Sequence, residues 1–376
     1  MKAADEAVGA IASRRLSRVA AAAGAILLLG FLFEPRRAWT GWLIGFVTLV
    51  ELSLAGVLFL ALLELAGARW ADALRQVPAA MSRALPLAAA AGLVLLFGLS
   101  TLYEWARAHP PDELLERKAA WLNATGFALR LVGCFVVWLL FAAAVRRRLG
   151  TAVESGASRA GRLKLAAGFV AVFALTWSLA SVDWIESLEA RWSSSVFALR
   201  TATGLVVSGV AAATILVVLL RDHGVLRGRV TLDHVHDLGR LLLSFTILWV
   251  YVWYCQYMLI WYTDIPEEAA YYARRTTEGW RVLTWSSLVL GFALPFVVLL
   301  LWRVRRSPAA LLRVSLVLLA AQALDLYVLV GPALAGPVPA LGLFELSGFA
   351  AGFALFFACA VKALAPRKVT SGPAAA

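Results

Sequence analysis

The stretch GWLIGFVTLVELSLAGVLFLALLELA, residues 41–66, decides the fold class of this chain. Its only charged residues are Glu51 and Glu64, and it is long enough to cross the roughly 30 Å hydrocarbon core of a bilayer as one helix. Nine other runs have the same character: 16–33, 84–105, 121–145, 163–182, 194–220, 236–262, 280–302, 309–331 and 340–363. They predict helices 1 to 10 in chain order, with the quoted stretch as helix 2.

Composition supports this interpretation over the whole chain. Hydrophobic residues make up 62% of the 376 residues and the mean hydropathy is +0.81, which exceeds what a soluble core of this size buries. We therefore predict an all-α integral membrane protein of about ten transmembrane helices. No long polar segment interrupts the spans, so any large catalytic module belongs to another subunit.

The positive charges predict the topology. The N-terminus, alternate loops and the C-terminus carry 22 Lys and Arg residues, whereas the other loops carry eight, which places both termini in the cytoplasm. This distribution explains the net charge of +12 and excludes a nucleic-acid partner, because the charges alternate with spans instead of clustering in one domain. Ten tryptophans stand at predicted interfaces, as in an aromatic belt; they include Trp121, Trp184, Trp192 and Trp280.

An internal repeat predicts how the helices are grouped. Pro111-Asp112-Glu113, Arg117-Lys118 and Trp121 recur about 155 residues later as Pro266-Glu267-Glu268, Arg274-Arg275 and Trp280. The offset relates helices 2–5 to helices 6–9 as two parallel four-helix bundles. The predicted units are an N-terminus with helix 1 (1–40), the first bundle (41–182), the second bundle (183–331), helix 10 (332–363) and a disordered cytoplasmic tail (364–376).

The chain lacks the usual ligands of redox centres. Cys134, Cys255 and Cys359 lie singly in three predicted spans, and all four histidines stand at span ends, where they do not suit a haem inside a bundle. The pair His234 and His236 has no third ligand close in sequence, which disfavours a metal site. We therefore expect no cofactor in this chain.

Ionisable residues inside the spans are the candidate functional residues, because charges within a membrane are costly and usually paired or functional. Glu51, Glu104, Arg130, Arg200, Asp325 and Glu345 all fall in the predicted outer half. They are either structural ion pairs, four acids against two arginines, or one half of a proton path.

The inner end of helix 7 offers a matching entrance, formed by His234, His236, Asp237 and Arg240. Histidine titrates near neutral pH, so protons can enter there. The alternative is structural: Asp233 caps the helix, Asp237 lies at its positive end, and Arg240 pairs with an acid one turn away.

Two motifs resemble a known family. The first is Asp233-His234-Val235-His236-Asp237-Leu238-Gly239-Arg240, continuing through Trp249, Tyr251, Gln256-Tyr257 and Leu259-Ile260-Trp261-Tyr262 into Ile265-Pro266-Glu267-Glu268. The second is Asp183-Trp184-Ile185 with Ser187-Leu188-Glu189, Trp192, Ser194 and Phe197. They are similar to the NrfD-like membrane subunits of bacterial alternative complex III, of the ActF type. The chain departs from the family pattern at Ala190-Arg191, where Pro-His is usual, and at Asp264, where Asn is usual.

The resemblance implies a multi-pass subunit of a quinol:electron-acceptor oxidoreductase in the bacterial cytoplasmic membrane. It implies partners that carry c-type haems and iron–sulfur clusters, a paralogous NrfD-like membrane subunit, and contacts with lipid and a terminal oxidase. Quinone binding to this chain is left open. The expected contribution of the chain is bundle structure and proton conduction without its own redox centre; the alternatives are a stand-alone secondary transporter and a pure scaffold.

Overall fold

The computed structural model describes residues 2–107, 113–150, 158–222 and 230–364, and all regular structure within these ranges is helical. Ten helices within these ranges are long and apolar enough to cross a membrane, which confirms the all-α membrane fold. Their bounds are Lys2–Phe33, Pro35–Leu65, Trp70–Leu102, Ala124–Leu149, Arg159–Trp184, Phe197–Asp222, Leu232–Thr263, Gly279–Leu300, Pro308–Ala335 and Leu343–Leu364. The predicted tail after residue 364 and the repeat positions Pro111 and Asp112 lie outside the described residues.

Several helices begin at residues that cap them. Asn123 and Ser158 start helices 4 and 5, and each side chain accepts a hydrogen bond from the backbone N–H three residues later. Helix 7 begins with Thr231 as its cap, and not with the predicted Asp233, because the Thr231 hydroxyl and the His234 side chain form a reciprocal capping box. Helix 7 ends at Thr263, and the φ of 48° at the next residue, Asp264, turns the chain out of the helix.

Helices 3 and 8 depart from regular α geometry. Helix 3 contains 3₁₀ segments at Ser82–Ala84 and Leu96–Gly98. Helix 8 opens into a π segment, Val289–Ala293, just before Pro295, which lacks a backbone N–H and cannot continue the regular hydrogen-bond ladder. Within this segment, Gly291 lies against the ring of Trp249.

Helices 2 and 6 form the centre of the molecule. Nearly every residue in the middle of both helices is buried, whereas helices 4, 5, 7 and 8 keep a lipid-facing side. Helix 2 contacts helices 3, 5, 6, 9 and 10, and helix 6 contacts helices 7 and 9. Polar residues on helices 2, 6 and 9 are therefore held away from lipid.

A seam of small residues joins helix 2 to helix 10. Gly41 and Gly45 face Gly348 and Gly352 so closely that a Cβ added to Gly45 would lie 2.6 Å from the Gly348 carbonyl oxygen. A Cβ on Gly352 would lie 2.7 Å from the Gly45 oxygen. This is the close backbone approach that small residues permit in membranes, and it fixes the position of helix 10.

The two membrane faces differ in character. The arginine-rich face carries the ends of helices at Arg146–Arg148 and Arg303–Arg306. The acidic face carries three short helices, Glu113–Lys118, Glu186–Glu189 and Pro266–Thr276. The last of these occupies a stretch that the sequence predicts as a loop, and its side chains reach into the protein, since Tyr271, Tyr272 and Arg275 are buried.

Candidate functional site

A buried ion pair lies between helices 6 and 9. Arg200 donates from a terminal guanidinium nitrogen to Asp325 Oδ1 at 2.8 Å, and both side chains are almost fully enclosed. Two charges removed from water in this way are held by their mutual attraction, so removal of either partner leaves an uncompensated charge in the protein interior.

Glu51 brings a third charge to this pair from helix 2. Between Leu43 and Ala61, Glu51 is the one residue of helix 2 that is only partly buried. Its carboxylate is close enough to Asp325 for the two to repel, and it forms no hydrogen bond or ion pair with any residue that the structure describes. The carboxylate therefore borders space that protein atoms do not fill, which leaves room for water.

Several buried donors around this group lack acceptors within the described part of the chain. They are Arg200 Nε, Gln322 Nε2 and Trp249 Nε1. Gln322 and Trp249 converge on Gly204: a Cβ there would lie 3.1 Å from Gln322 Oε1 and 3.8 Å from Trp249 Nε1. A buried polar atom without a partner costs about 1–3 kcal/mol, so these donors favour ordered water among them.

Helix 9 extends this polar region toward the arginine-rich face. Ser315, Gln322 and Asp325 are buried on helix 9 at spacings that place them on one side of it. Ser315 Oγ has no partner among the described residues. At 1.5 Å per residue, Ser315 to Asp325 spans about 15 Å, half the thickness of the hydrocarbon core.

Arg275 continues the charge network toward the acidic face. Its guanidinium is buried, donates to Glu189 Oε1 at 2.7 Å and binds the carbonyls of Val328 and Leu329 at 3.1 and 2.9 Å. It lies 3.4 Å from the centre of the Tyr271 ring, and its positive charge also acts on Asp325. Arg275 thus links the buried group electrostatically to Glu189.

Glu189 lines a cleft on the acidic face. The cleft has a volume of about 310 Å³, and its polar lining is Glu104, Glu189, Arg191, Glu267 and Arg274. Arg274 forms an ion pair with Glu189 at 3.0 Å and is half exposed. Glu104, one of the predicted site residues, pairs with Arg191 at 3.4 Å at this cleft.

The predicted outer residues do not form one cluster. The structure brings together Glu51, Arg200 and Asp325, whereas Glu104, Arg130 and Glu345 stand in separate ion pairs. Arg130 binds Asp183 at 2.6 Å, and Glu345 binds Arg37 at 2.9 Å. Of the predicted pairing of four acids with two arginines, only Arg200 with Asp325 is found among the described residues, because helices 4 and 10 place Arg130 and Glu345 beside partners outside the predicted set.

The predicted entrance residues lie together at the start of helix 7. His234 is used in the capping box, and Arg240 pairs with Asp237 at 3.5 Å. Asp233, predicted as the cap, forms an ion pair with Arg306 instead. His236 Nδ1 is buried without a partner among the described residues and is the free titratable atom of this group.

The sequence analysis missed four residues of this polar network: Glu189, Arg275, Ser315 and Gln322. Glu189 and Arg275 stand within the family-like motif and the repeat motif, so a signal for both was present. Gln322 carries no charge and belongs to no motif. The belt assignment is also wrong for Trp184, Trp192 and Trp280, which are 1%, 4% and 1% exposed.

Burial changes the titration of groups on the acidic face. It raises the pKa of Glu186 to about 7, although the Ser194 N–H and the charge of Lys118 act in the opposite direction. Burial also raises the pKa values of Tyr271 and Tyr272, which face Arg200 and Arg275. Both phenols therefore stay protonated near neutral pH.

Comparisons with known proteins identify no relative: no protein-family model matches the chain, and no curated protein matches it. Among the described residues, no group of three or more His, Cys, Asp or Glu side chains is placed to hold a metal ion. Cys134, Cys255 and Cys359 are unpaired by disulfides. Buried titratable and polar groups among the described residues do lie in a line between the central helices.

Proposed function

We propose that this chain is a membrane subunit of a respiratory quinol:electron-acceptor oxidoreductase of the alternative complex III type, and that it conducts protons. The observation that carries the proton-conducting role is the group Glu51, Arg200 and Asp325, enclosed between the central helices. With both carboxylates ionised this group has one negative charge in excess, so it has capacity for one proton. The family-like motifs at 183–197 and 233–268 support the assignment to the complex.

The proposed path crosses the whole membrane. Protons enter at His234, His236, Asp237 and Arg240, pass Ser315 and Gln322 along helix 9, and reach Glu51 and Asp325. They leave past Arg275 and Glu189 into the cleft that Glu104 lines. Arg130 and Glu345 stand off this route, and we assign them structural ion pairs instead.

The excess of Lys and Arg in the terminal segments and alternate loops supports placing the arginine-rich face in the cytoplasm of a bacterium. Both chain termini then lie in the cytoplasm, and the acidic face meets extracytoplasmic partners. The proposed partners are a paralogous NrfD-like subunit, an iron–sulfur subunit and c-type cytochromes, which carry the electrons. This chain contributes no electron carrier of its own.

A stand-alone transporter has less support. Transporters with repeats commonly break corresponding helices of both halves in mid-membrane. Helix 8 is opened at Val289–Ala293, but helix 4, its counterpart in the predicted repeat, is a continuous α-helix from Ala124 to Leu149.

Substitution of the carboxyl groups tests the proton path. Glu51→Gln and Asp325→Asn remove a titratable group while keeping its shape, so we expect a lower proton-to-electron ratio in proteoliposomes that contain the complete complex. Asp264→Asn is the matched control, because Asp264 is exposed and its side chain binds no described residue. Glu51→Gln breaks no hydrogen bond, so it tests the path even where Asp325→Asn impairs assembly. An unchanged ratio in an assembled Glu51→Gln complex contradicts the proposal.

A further inference from the structure

A second cavity on the acidic face lies apart from the proposed proton path. It has a volume of about 330 Å³ and lies between the short helix Glu113–Lys118 and the segment that follows helix 5. Its walls are mainly apolar and include Trp121, Leu122, Val182 and Trp192. Trp121 is 39% exposed where helix 4 begins, so the cavity stands at the level of lipid headgroups.

One wall of the cavity presents a buried carboxyl group with a free oxygen. Glu186 is 6% exposed, and its Oε1 accepts a hydrogen bond from the Ser194 N–H at 2.7 Å. Its Oε2 has no hydrogen-bond partner among the described residues. A buried carboxylate oxygen is costly to leave unpaired, so this atom favours a ligand that carries an N–H or O–H donor.

Two cations stand at the same cavity. Lys118 Nζ donates to the Ala190 carbonyl at 2.7 Å and retains two further hydrogens, and its charge acts on Glu186. Arg117 is exposed and pairs with Glu113 through one nitrogen, which leaves its other donors available. The cavity therefore combines an acceptor inside with cationic donors at its edge.

We propose that this cavity binds the headgroup of phosphatidylethanolamine. Its ammonium group donates to Glu186 Oε2, its phosphate lies against Lys118 and Arg117, and its acyl chains leave along the apolar wall. Other headgroups fit less well: phosphatidylcholine has no N–H donor, and phosphatidylglycerol has no cation for the carboxylate. A neutral quinol leaves both cations of the cavity unused.

Native mass spectrometry of the full-length chain, extracted in mild detergent with its associated subunits, tests this site. The probes are phosphatidylethanolamine, phosphatidylcholine and phosphatidylglycerol with identical acyl chains. A charge-assisted hydrogen bond predicts that phosphatidylethanolamine is retained about tenfold more strongly than phosphatidylcholine. Glu186→Gln removes this preference, whereas Glu116→Gln, an exposed acid on the same short helix, retains it.

A competition experiment distinguishes a lipid ligand from a soluble molecule with the same headgroup. Soluble phosphoethanolamine carries the same headgroup without the acyl chains, and we expect it to compete only at far higher concentration than the lipid. Equal competition would overturn the lipid assignment in favour of a soluble ligand. Equal retention of the three lipids, an unchanged preference in Glu186→Gln, or displacement of the lipid by a quinol analogue would also overturn it.

Discussion

At the scale of single residues, Glu51 and Glu186 illustrate two ways in which a carboxyl group is left without a protein partner. Glu51 is only partly buried, although its neighbours in the middle of helix 2 are buried. Glu186 is buried on the acidic face with one oxygen satisfied and one free. Both groups lie where a partner other than protein is needed, water at Glu51 and a ligand donor at Glu186.

Glu186 gives a pH dependence of stability whose sign follows from its pKa. Burial raises the pKa from 4.5 to about 7, so the folded protein holds this proton more tightly than the unfolded chain. The stabilisation is complete below pH 4.5 and is lost as the pH rises through 7. We expect Glu186→Gln to flatten this part of the profile, by an amount on the order of 1–3 kcal/mol.

Thermal unfolding in lipid-free detergent across this pH range measures the effect of Glu186. The groups that face it are Lys118 and the Ser194 N–H. Glu116→Gln is expected to keep the wild-type slope, because Glu116 is exposed. Parallel profiles for wild type and Glu186→Gln would show that the Glu186 proton is not linked to folding.

At the residue scale, the sequence predicts which helix carries each charged residue but not which partner that residue contacts. Hydropathy places Arg130 and Glu345 within or near spans, and the structure agrees. Position along a helix does not say which neighbour a side chain faces, since that depends on how the helices rotate and pack. Arg130 therefore faces Asp183, and Glu345 faces Arg37, both outside the predicted set.

At the scale of helices, the seam between helices 2 and 10 leaves almost no space for a side chain larger than glycine. Gly348→Val places a side chain against the Gly41 backbone, and Gly45→Leu places one against Gly348, so both variants force the helices apart. We expect losses of a few kcal/mol in stability or failure to assemble. Gly133→Leu is the control, because Gly133 is exposed on helix 4 and a Cβ there meets no atom within 4 Å.

The yield and thermal unfolding temperature of detergent-extracted protein measure the effect of these glycine variants. The seam is refuted as a determinant of the fold if Gly348→Val and Gly133→Leu behave alike. The existence of helices 2 and 10 follows directly from hydropathy in the sequence. Their contact does not, because glycine spacing identifies a candidate interface without naming its partner.

The sequence explains a helix irregularity only where proline causes it. Pro295 marks the interruption of helix 8, and the structure places a π segment just before it. The 3₁₀ segments of helix 3 have no comparable signal, because they follow from packing, such as that of Trp39 against Gly98. The short helix Pro266–Thr276 was missed because its polar face resembles a loop in hydropathy, although Pro266 is a favoured first helical residue.

At the scale of the whole molecule, eight of the ten apolar helices in the described part of the chain surround helices 2 and 6, and the buried charges lie at that centre. Helix 2 contributes Glu51, helix 6 contributes Arg200, and helix 9 contributes Asp325 with Gln322 and Ser315. The centre of the molecule therefore carries side chains that can bind and release protons. No group of side chains that could hold a metal ion occurs among the described residues. The proposed function places electron transfer in partner subunits.

A mild-detergent pull-down of the chain from its native membrane, followed by a haem-stained gel and an optical spectrum, tests this central claim most directly. We expect polypeptides with c-type haem and iron–sulfur clusters to co-purify with the chain in fixed proportion. A colourless protein that is recovered alone in the same detergent would contradict it and would make a stand-alone transporter the better explanation.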